Sequence, residues 1–542
     1  MRLATVLFFL FNIIKVNAQS SGQVKDAEFI ISKERSLSLP KVDRQYVPFT
    51  VKGKKFPKPD LVFGMDSISI NLPKYMPTLK VEPTQIPSKN DPENSLAYLA
   101  YGNLRSILAG VSHQKQGIKW NYGTMINLES FGVGPIRQTK SAYLDNDIAL
   151  SAGTGRANNT LMVGLNHKLE SYYFYGMSDE AYYSENSLFV RDRVKLHSLS
   201  TSIDFMGITK NWEYQINMRA GNFSQGTDSG KWGIEKKIDV EGQLSHDIGD
   251  YEIGIEIFNG LHDFNGATRQ QRSIFGLKPY FKTVFGGIDL DMGLKIISFK
   301  DTTQSTEVGA SVTIGIPVGK LWKLQGGLDL NVEMADFQWH ANKNPYLEDS
   351  LQLKSVTSHT PLWVQLTGIP IKGLTLDLGL KMTSVENPLY YIPSVSDSSR
   401  FMIISDSEGL NIFSFYGNFS YDVAQWISIF GNLKISQYDP GLEPKAWNFP
   451  ISELSTGIFL SKKLFSTSVE FVFLGGRWTS DISRAVIPLG NIVDLSWRSD
   501  FRVGKKVDLF IVAQNLLNMN NPGYLAYPSR NIALKLGLTF NF

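Results

Sequence analysis

Glu252, Glu256, Asp289, Asp291, Lys295, Asp377, Lys381, Arg498, Asp500, Arg502 and Lys535 each stand among aliphatic or aromatic residues that recur at every second position. Charges spaced by two along an extended chain share one face, and in a wet interior such a face can line a solute path or bind a filling segment. It can also be polar simply because it is wet. Catalysis fits less well. His113, His167, His197, His246, His262, His340 and His359 take no metal-ligand spacing, and no His-Glu-x-x-His, Gly-x-Ser-x-Gly or phosphate-loop pattern occurs. The expectation is a non-enzyme with no cofactor and no metal site. Asp406-Ser407-Glu408 and Asp145-Asn146-Asp147 lack a full calcium-loop spacing and read as solvated loop tips. Tyr172, Tyr173, Phe174, Tyr175, Tyr182 and Tyr183 flank one loop, and Tyr390 and Tyr391 sit in another. Aromatics anchor sugars and proteins, but Tyr172 to Tyr175, at a strand end, fit an interfacial girdle better.

The elements that must carry these charges are strands. Tyr251, Ile253, Ile255 and Ile257 alternate with Glu252, Gly254 and Glu256, and Ile288, Leu290, Met292, Leu294 and Ile296 alternate with Asp289, Asp291, Gly293 and Lys295. Leu374 to Met382 and Val493 to Arg502 repeat the pattern. The last residues, NIALKLGLTFNF, place Ile532, Leu534, Leu536, Leu538, Phe540 and Phe542 on one face and Ala533, Lys535, Gly537, Thr539 and Asn541 on the other. A strand of this kind crosses an outer membrane in roughly 9–11 residues. Phe540 and Phe542 supply the aromatic end that closes such a barrel.

Connections alternate between short turns, such as Ile248-Gly249-Asp250, Ile371-Lys372-Gly373 and Gly504-Lys505-Lys506, and longer loops. The longer ones are expected near Phe131–Asp145, Met177–Asp192, Gly226–Lys236, Asp336–Thr360, Glu386–Gly409, Asp439–Trp447, Trp478–Gly490 and Asn518–Arg530. Short periplasmic turns and long surface loops are the topology of an outer-membrane barrel. These connections join about 18 strands, and ambiguous phase at Leu104–Gly117 and Val194–Ile208 extends the range to roughly 18 to 22. The fold class is all-β, a transmembrane antiparallel β-barrel over 94–542.

Cysteine is absent, which excludes disulfides, thiolate metal sites and a lipidated cysteine. The net charge of +3 gives no reason to expect nucleic acid. Residues 1–18 read as a signal peptide, with an apolar run from Leu3 to Ile14 and Val16-Asn17-Ala18 before the cleavage point. Residues 19–93, rich in proline and lysine, read as an extended periplasmic segment, either a tether or an ordered plug or docking arm, with short strands expected at Glu28–Ile31 and Ser67–Ile70.

Leu509-Phe510-Ile511-Val512-Ala513-Gln514-Asn515-Leu516-Leu517-Asn518, then Tyr527-Pro528-Ser529-Arg530, then the strand ending at Phe542, resemble the C-terminal end of TonB-dependent receptors. The resemblance implies an outer-membrane location in a Gram-negative bacterium, contact with membrane lipid and with the barrel-assembly machinery, and a transport or channel-type role. The family's plug domain is not recognisable in 19–93, so gating and energy coupling are not carried over. A lumen that wide needs filling, by the N-terminal segment, by inward-folded loops or by a partner. The alternative is a non-transporting structural or assembly subunit of an outer-membrane complex, with a protein partner bound through 19–93.

Overall fold

The computed structural model describes residues 93–542, except 118–119, 137, 157, 177–192, 228–229, 302, 349–350, 396 and 398. The expectations for the signal peptide, for 19–93 and for the loop at 177–192 lie outside the described residues. What is described is one antiparallel barrel of 22 strands. Trp322–Asp329 and Asn331–Met334 count as one of these, because both pair with Ser355–Ile371. The seam is closed by Glu93–Gly102 against Ala533–Asn541, from Leu96 opposite Asn541 to Gly102 opposite Lys535. No described helix is long and apolar enough to cross a membrane, and none is needed, since a closed sheet satisfies its own backbone groups.

Alternation decides what faces lipid. Leu534, Leu536, Leu538 and Phe540 are well exposed on the outer wall, while Ala533 and Lys535 between them are buried. Tyr251, Ile253 and Ile257 repeat the arrangement, as do Met292 and Leu294. An aliphatic residue exposed in water would be a liability; on this wall it is the surface the bilayer covers. The protein is an outer-membrane β-barrel.

The count sits at the top of the expected range because some connections on the side opposite the termini are very short. Glu93–Gly102 and Ser106–Gln116 form a hairpin, as do Tyr251–Asn265 with Arg269–Phe285, and Ile288–Lys300 with Gln304–Val318. The long loop expected at Gly226–Lys236 is likewise a hairpin: Trp212–Thr227 and Gly230–Ile248 pair throughout, with a bulge at Gln225/Gly226. Asp145, expected at a loop tip, lies within the strand Tyr143–Arg156 and faces Lys168 at 3.6 Å.

Candidate functional site: a neutralised lumen under a folded cap

The charges expected to line the lumen alternate along their strands with exposed apolar residues, and most are paired with each other or with a neighbour. Glu252 meets Lys282 at 3.4 Å and accepts a hydrogen bond from the Tyr280 hydroxyl at 3.0 Å. Glu256 meets Lys278 at 3.2 Å. Each of these pairs joins direct register partners on adjacent strands. Asp289 pairs with Lys323, and Lys295 with Asp329 at 2.6 Å. Arg498 forks onto Asp500 at 2.7 and 2.9 Å, and Arg502 reaches Asp508 at 3.3 Å. Asp377 and Lys381 are buried on the inner face of Leu374–Glu386, and Asp291 is half-buried beside Asp289 on Ile288–Lys300. A wall of alternating, paired signs cancels much of its own field at a distance.

Lys535 shows how local sequence positions such a pair. Its register row across the seam runs to Gly102, Ser106 and Phe131. Along this row the Lys535 ammonium reaches Glu129 and sits 4.2 Å from the Phe131 ring centre.

At the outer end the loops turn inward. Tyr172, Phe174, Tyr175, Val194, Leu196, Phe223 and Phe264 from the wall form one buried cluster with Phe337, Tyr346, Tyr391, Phe401, Tyr524 and Tyr527 from the loops. The girdle expected at Tyr172 to Tyr175 is therefore corrected for three of them: Tyr172, Phe174 and Tyr175 are buried core residues. Tyr390 and Tyr391 are buried too, in the hairpin Leu389–Pro393 with Phe401–Ser405. Desolvation would be costly for so many phenols unless their hydroxyls found acceptors; the Tyr390 hydroxyl has no partner among the described residues, but three in the first cluster do. Tyr172 donates to the Pro345 carbonyl, Tyr524 to Lys343 at 2.8 Å and Tyr527 to Ser399.

The helix Phe337–Lys343 anchors this cap to the wall. Asp336 caps it, accepting from the Trp339 amide at 2.6 Å. Glu235 on the wall accepts from the Phe337 amide at 2.8 Å and more weakly from Gln338. Lys237, also on the wall, meets Asp336 at 2.7 Å. Arg272 donates to the Ala335 carbonyl at 2.9 Å and to Asp301 at 2.7 Å. Within the helix His340 is fully buried with Nδ1 3.0 Å from the Tyr391 hydroxyl; burial, with Arg272 nearby, pushes its pKa down to about 3. Burial also pushes Lys343 down to about 8, against the opposing pull of Glu333.

Two further links tie loop to loop. Arg477 donates to the carbonyls of Gly490, Pro522 and Gly523. Asp406, expected to be a solvated tip, is buried and accepts from the amides of Glu408, Leu442 and Glu443 at 3.0, 2.9 and 3.0 Å. Sequence reasoning missed Lys237, Arg272, His340 and Arg477 as cap residues. The one local signal was Asp336 ahead of Phe-Gln-Trp-His, an N-cap in front of a short helix. Among the described residues no group of three potential ligands could hold a metal ion.

Between cap and wall lies a cavity of about 40 Å³, lined by Tyr172, Tyr175, Tyr346, Tyr524, Tyr527 and Arg530 among others. That space admits about one water molecule, so the rings pack closely against the wall there.

No family model matches this sequence, and no curated protein matches it. Solved structures do. The FrpB iron transporter from Neisseria meningitidis superposes with a TM-score of 0.67 at 8% identity, over 84% of this chain and 82% of that one. The fold is that of the TonB-dependent receptors. The siderophore receptor PirA from Acinetobacter baumannii superposes at 0.65 and 9% identity, over 84% and 81%. The copper transporter OprC superposes at 0.61 and 11% identity, over 83% and 80%. The receptor-type barrel expected from the C-terminal strand is thus present across the whole described chain. At such identities the likeness is one of fold.

Proposed function

We propose that this receptor-type barrel is an outer-membrane transport protein whose lumen is gated by its own extracellular loops. The observation that carries the reading is the cap. Loops at 335–354, 387–409 and 515–532 bury their aromatics against inward-facing wall residues, where a solute would have to enter. Transporters and siderophore receptors among the structural neighbours support a transport role. The paired lumen charges support passage of solutes without strong charge selection. In this reading Glu252, Glu256, Asp289, Asp291, Lys295, Asp377, Lys381, Arg498, Asp500, Arg502 and Lys535 line the path, and 19–93 supplies periplasmic contacts.

A planar-bilayer recording tests it. Full-length protein is expected to conduct little, and protein with 387–409 replaced by a short Gly-Ser turn is expected to conduct steadily. Conductance that arises only when 19–93 is removed would assign closure to that segment instead. Silence from both variants, together with a stoichiometric partner recovered from native membranes, would favour the assembly-subunit alternative.

A further inference from the structure

A barrel satisfies its backbone groups only where each strand has a neighbour on both sides. Gln304–Val318 meets that condition over part of its length. Toward Ile288–Lys300 it is paired from Gln304 to Gly315, whereas toward Trp322–Asp329 the pairing begins only at Ser311. The next segment, Asn331–Met334, pairs with residues Ser355 to Ser358 instead. Two inner-wall side chains draw that segment away: Lys295 donates to the Leu330 carbonyl and Arg272 to the Ala335 carbonyl, each at 2.9 Å. Between them Val332 is buried with Ile274 and Ile297. Ser355–Ile371 yields as well, with a register shift between His359 and Leu362, around Pro361. The sheet therefore splits at its outer end. Leu330 lies against the backbone of Gly309, where an added Cβ would stand 2.6 Å from the Leu330 Cβ, and this contact is the floor of the split. Above it, residues Gln304 to Val308 form an edge that no described strand covers.

The depth of this edge makes it costly to leave bare. Ala310 stands opposite Leu294 of the lipid-facing belt, and Val308 opposite Ile296. Val308 is 63% exposed, against 42% for Ile314, which has a strand on each side. Other overhanging strand ends are covered by loops. The Leu516 amide reaches the Leu495 carbonyl at 2.9 Å, and Asn521 brackets the Val493 amide and carbonyl at 2.8 Å each. Among the described residues nothing brackets Gln304, Thr306 or Val308 in this way. The usual defences of a bare edge are missing too, since Gln304 to Ala310 include no lysine, no proline and no bulge. Such an edge accepts an added strand, whose backbone supplies the bonds and whose alternate side chains meet the two faces. A second copy of this chain fits poorly. A twofold axis along the bilayer normal would bring together strands that are each tilted by roughly 35–45°, and these cross instead of lying side by side.

We propose that Gln304 to Val308 are a strand-addition site for an extended segment of a different polypeptide. Its residues alternate, with polar side chains inward and an apolar one toward lipid at the level of Val308. The site is on the rim of the wall, so it is independent of whether the lumen transports anything.

Hydrogen exchange of the full-length protein in lipid nanodiscs, read by mass spectrometry, tests the assignment with two blocked peptides of equal composition, TVTVTVT and TTTTVVV. Free-edge amides of 304–308 are expected to exchange about tenfold or more faster than those of 311–315 in the same strand. The alternating peptide is expected to slow them about tenfold and the reordered peptide to leave them unchanged. Neighbouring residues of a strand aim their amides at opposite edges, so one of S305P and T306P keeps the pairing with Ile288–Lys300 and removes a donor from the bare edge. In that variant the peptide's protection should vanish. Should neither variant fold, the contrast between the two peptides on the wild type still decides the matter. Slow exchange without peptide would overturn the proposal, assigning the cover to this chain itself if it persists on dilution and to a second copy if dilution relieves it. Equal protection by both peptides, or protection retained in both proline variants, would overturn it as well.

Discussion

Lys237 of the barrel wall lies 2.7 Å from Asp336, the residue that caps the cap helix, so an ion pair connects the sheet to the folded loops. Burial alone would raise the Asp336 carboxyl; the Lys237 charge and hydrogen bond outweigh it and hold that carboxyl below its ordinary value. This contribution is complete above the ordinary carboxylate range and is lost as pH falls through the depressed folded value. Removing Lys237 leaves a carboxylate buried without its cation, which typically costs about 3–5 kcal/mol. K237M is therefore expected to open the cap, and K237M/D336N to recover part of the loss, since Asn still caps the helix. The natural absence of cysteine makes this measurable: A341C introduces a single thiol at a buried helix position. Its labelling rate should rise in K237M, and an unchanged rate would remove the pair from the gate.

His340 gives the cap a pH response of defined sign. Closed, the imidazole is held neutral, with its pKa pushed down to about 3 from 6.5. An opened cap restores the ordinary value, so the open state binds the extra proton and acid favours opening. Closure is unaffected above about pH 6.5 and weakens progressively toward about pH 3, by about 2 kcal/mol at pH 5. Other buried groups titrate nearby, so the test is a difference. A341C labelling at pH 5 relative to pH 7.5 should accelerate less in H340Q than in protein with His340. Identical acceleration in both would show that another group carries the response.

The seam predicts an asymmetry between two single substitutions. Lys535 is buried beside Glu129 and the Phe131 ring. E129Q strands a buried ammonium, whereas K535M removes the charge and keeps an apolar side chain of similar length. E129Q is expected to lose about 3 kcal/mol and K535M clearly less. The temperature at which the folded barrel loses its compact mobility in detergent gels reads this directly. A K535M loss as large as that of E129Q would mean that the ammonium itself, rather than its neutralisation, holds the seam.

Local alternation made the wall legible. Tyr251 to Ile257 and Ile532 to Phe542 announce their outer faces because each side chain's direction follows from its own position in the strand. The strand count was harder, because between Gly102 and Ser106, Asn265 and Arg269, and Lys300 and Gln304 the chain reverses without the long polar loop that marks a surface connection. The cap was out of reach for a different reason. Tyr172 and Pro345 are 173 residues apart, and nothing near either one says that they touch. An aromatic at a strand end serves equally as lipid girdle or as floor for a folded loop. Only the inward course of loops at 335–354, 387–409 and 515–532 separates the two.

The stacked rings of Tyr346 and Tyr527, with centres 3.5 Å apart, sit among the residues lining the cavity of about 40 Å³. Truncating both removes two large side chains from a space that admits about one water molecule. The hydroxyl contact from Tyr527 to Ser399 is lost as well, which loosens the 387–409 loop. In proteoliposomes, Y346A/Y527A should therefore admit small neutral sugars that the wild type excludes, seen as osmotic swelling. Because most lumen charges are paired, sugars of either charge should enter at comparable rates once the cap is open. If the double variant stays as tight as the wild type while A341C labelling shows its cap open, the barrier lies deeper in the lumen and the loops are not the gate.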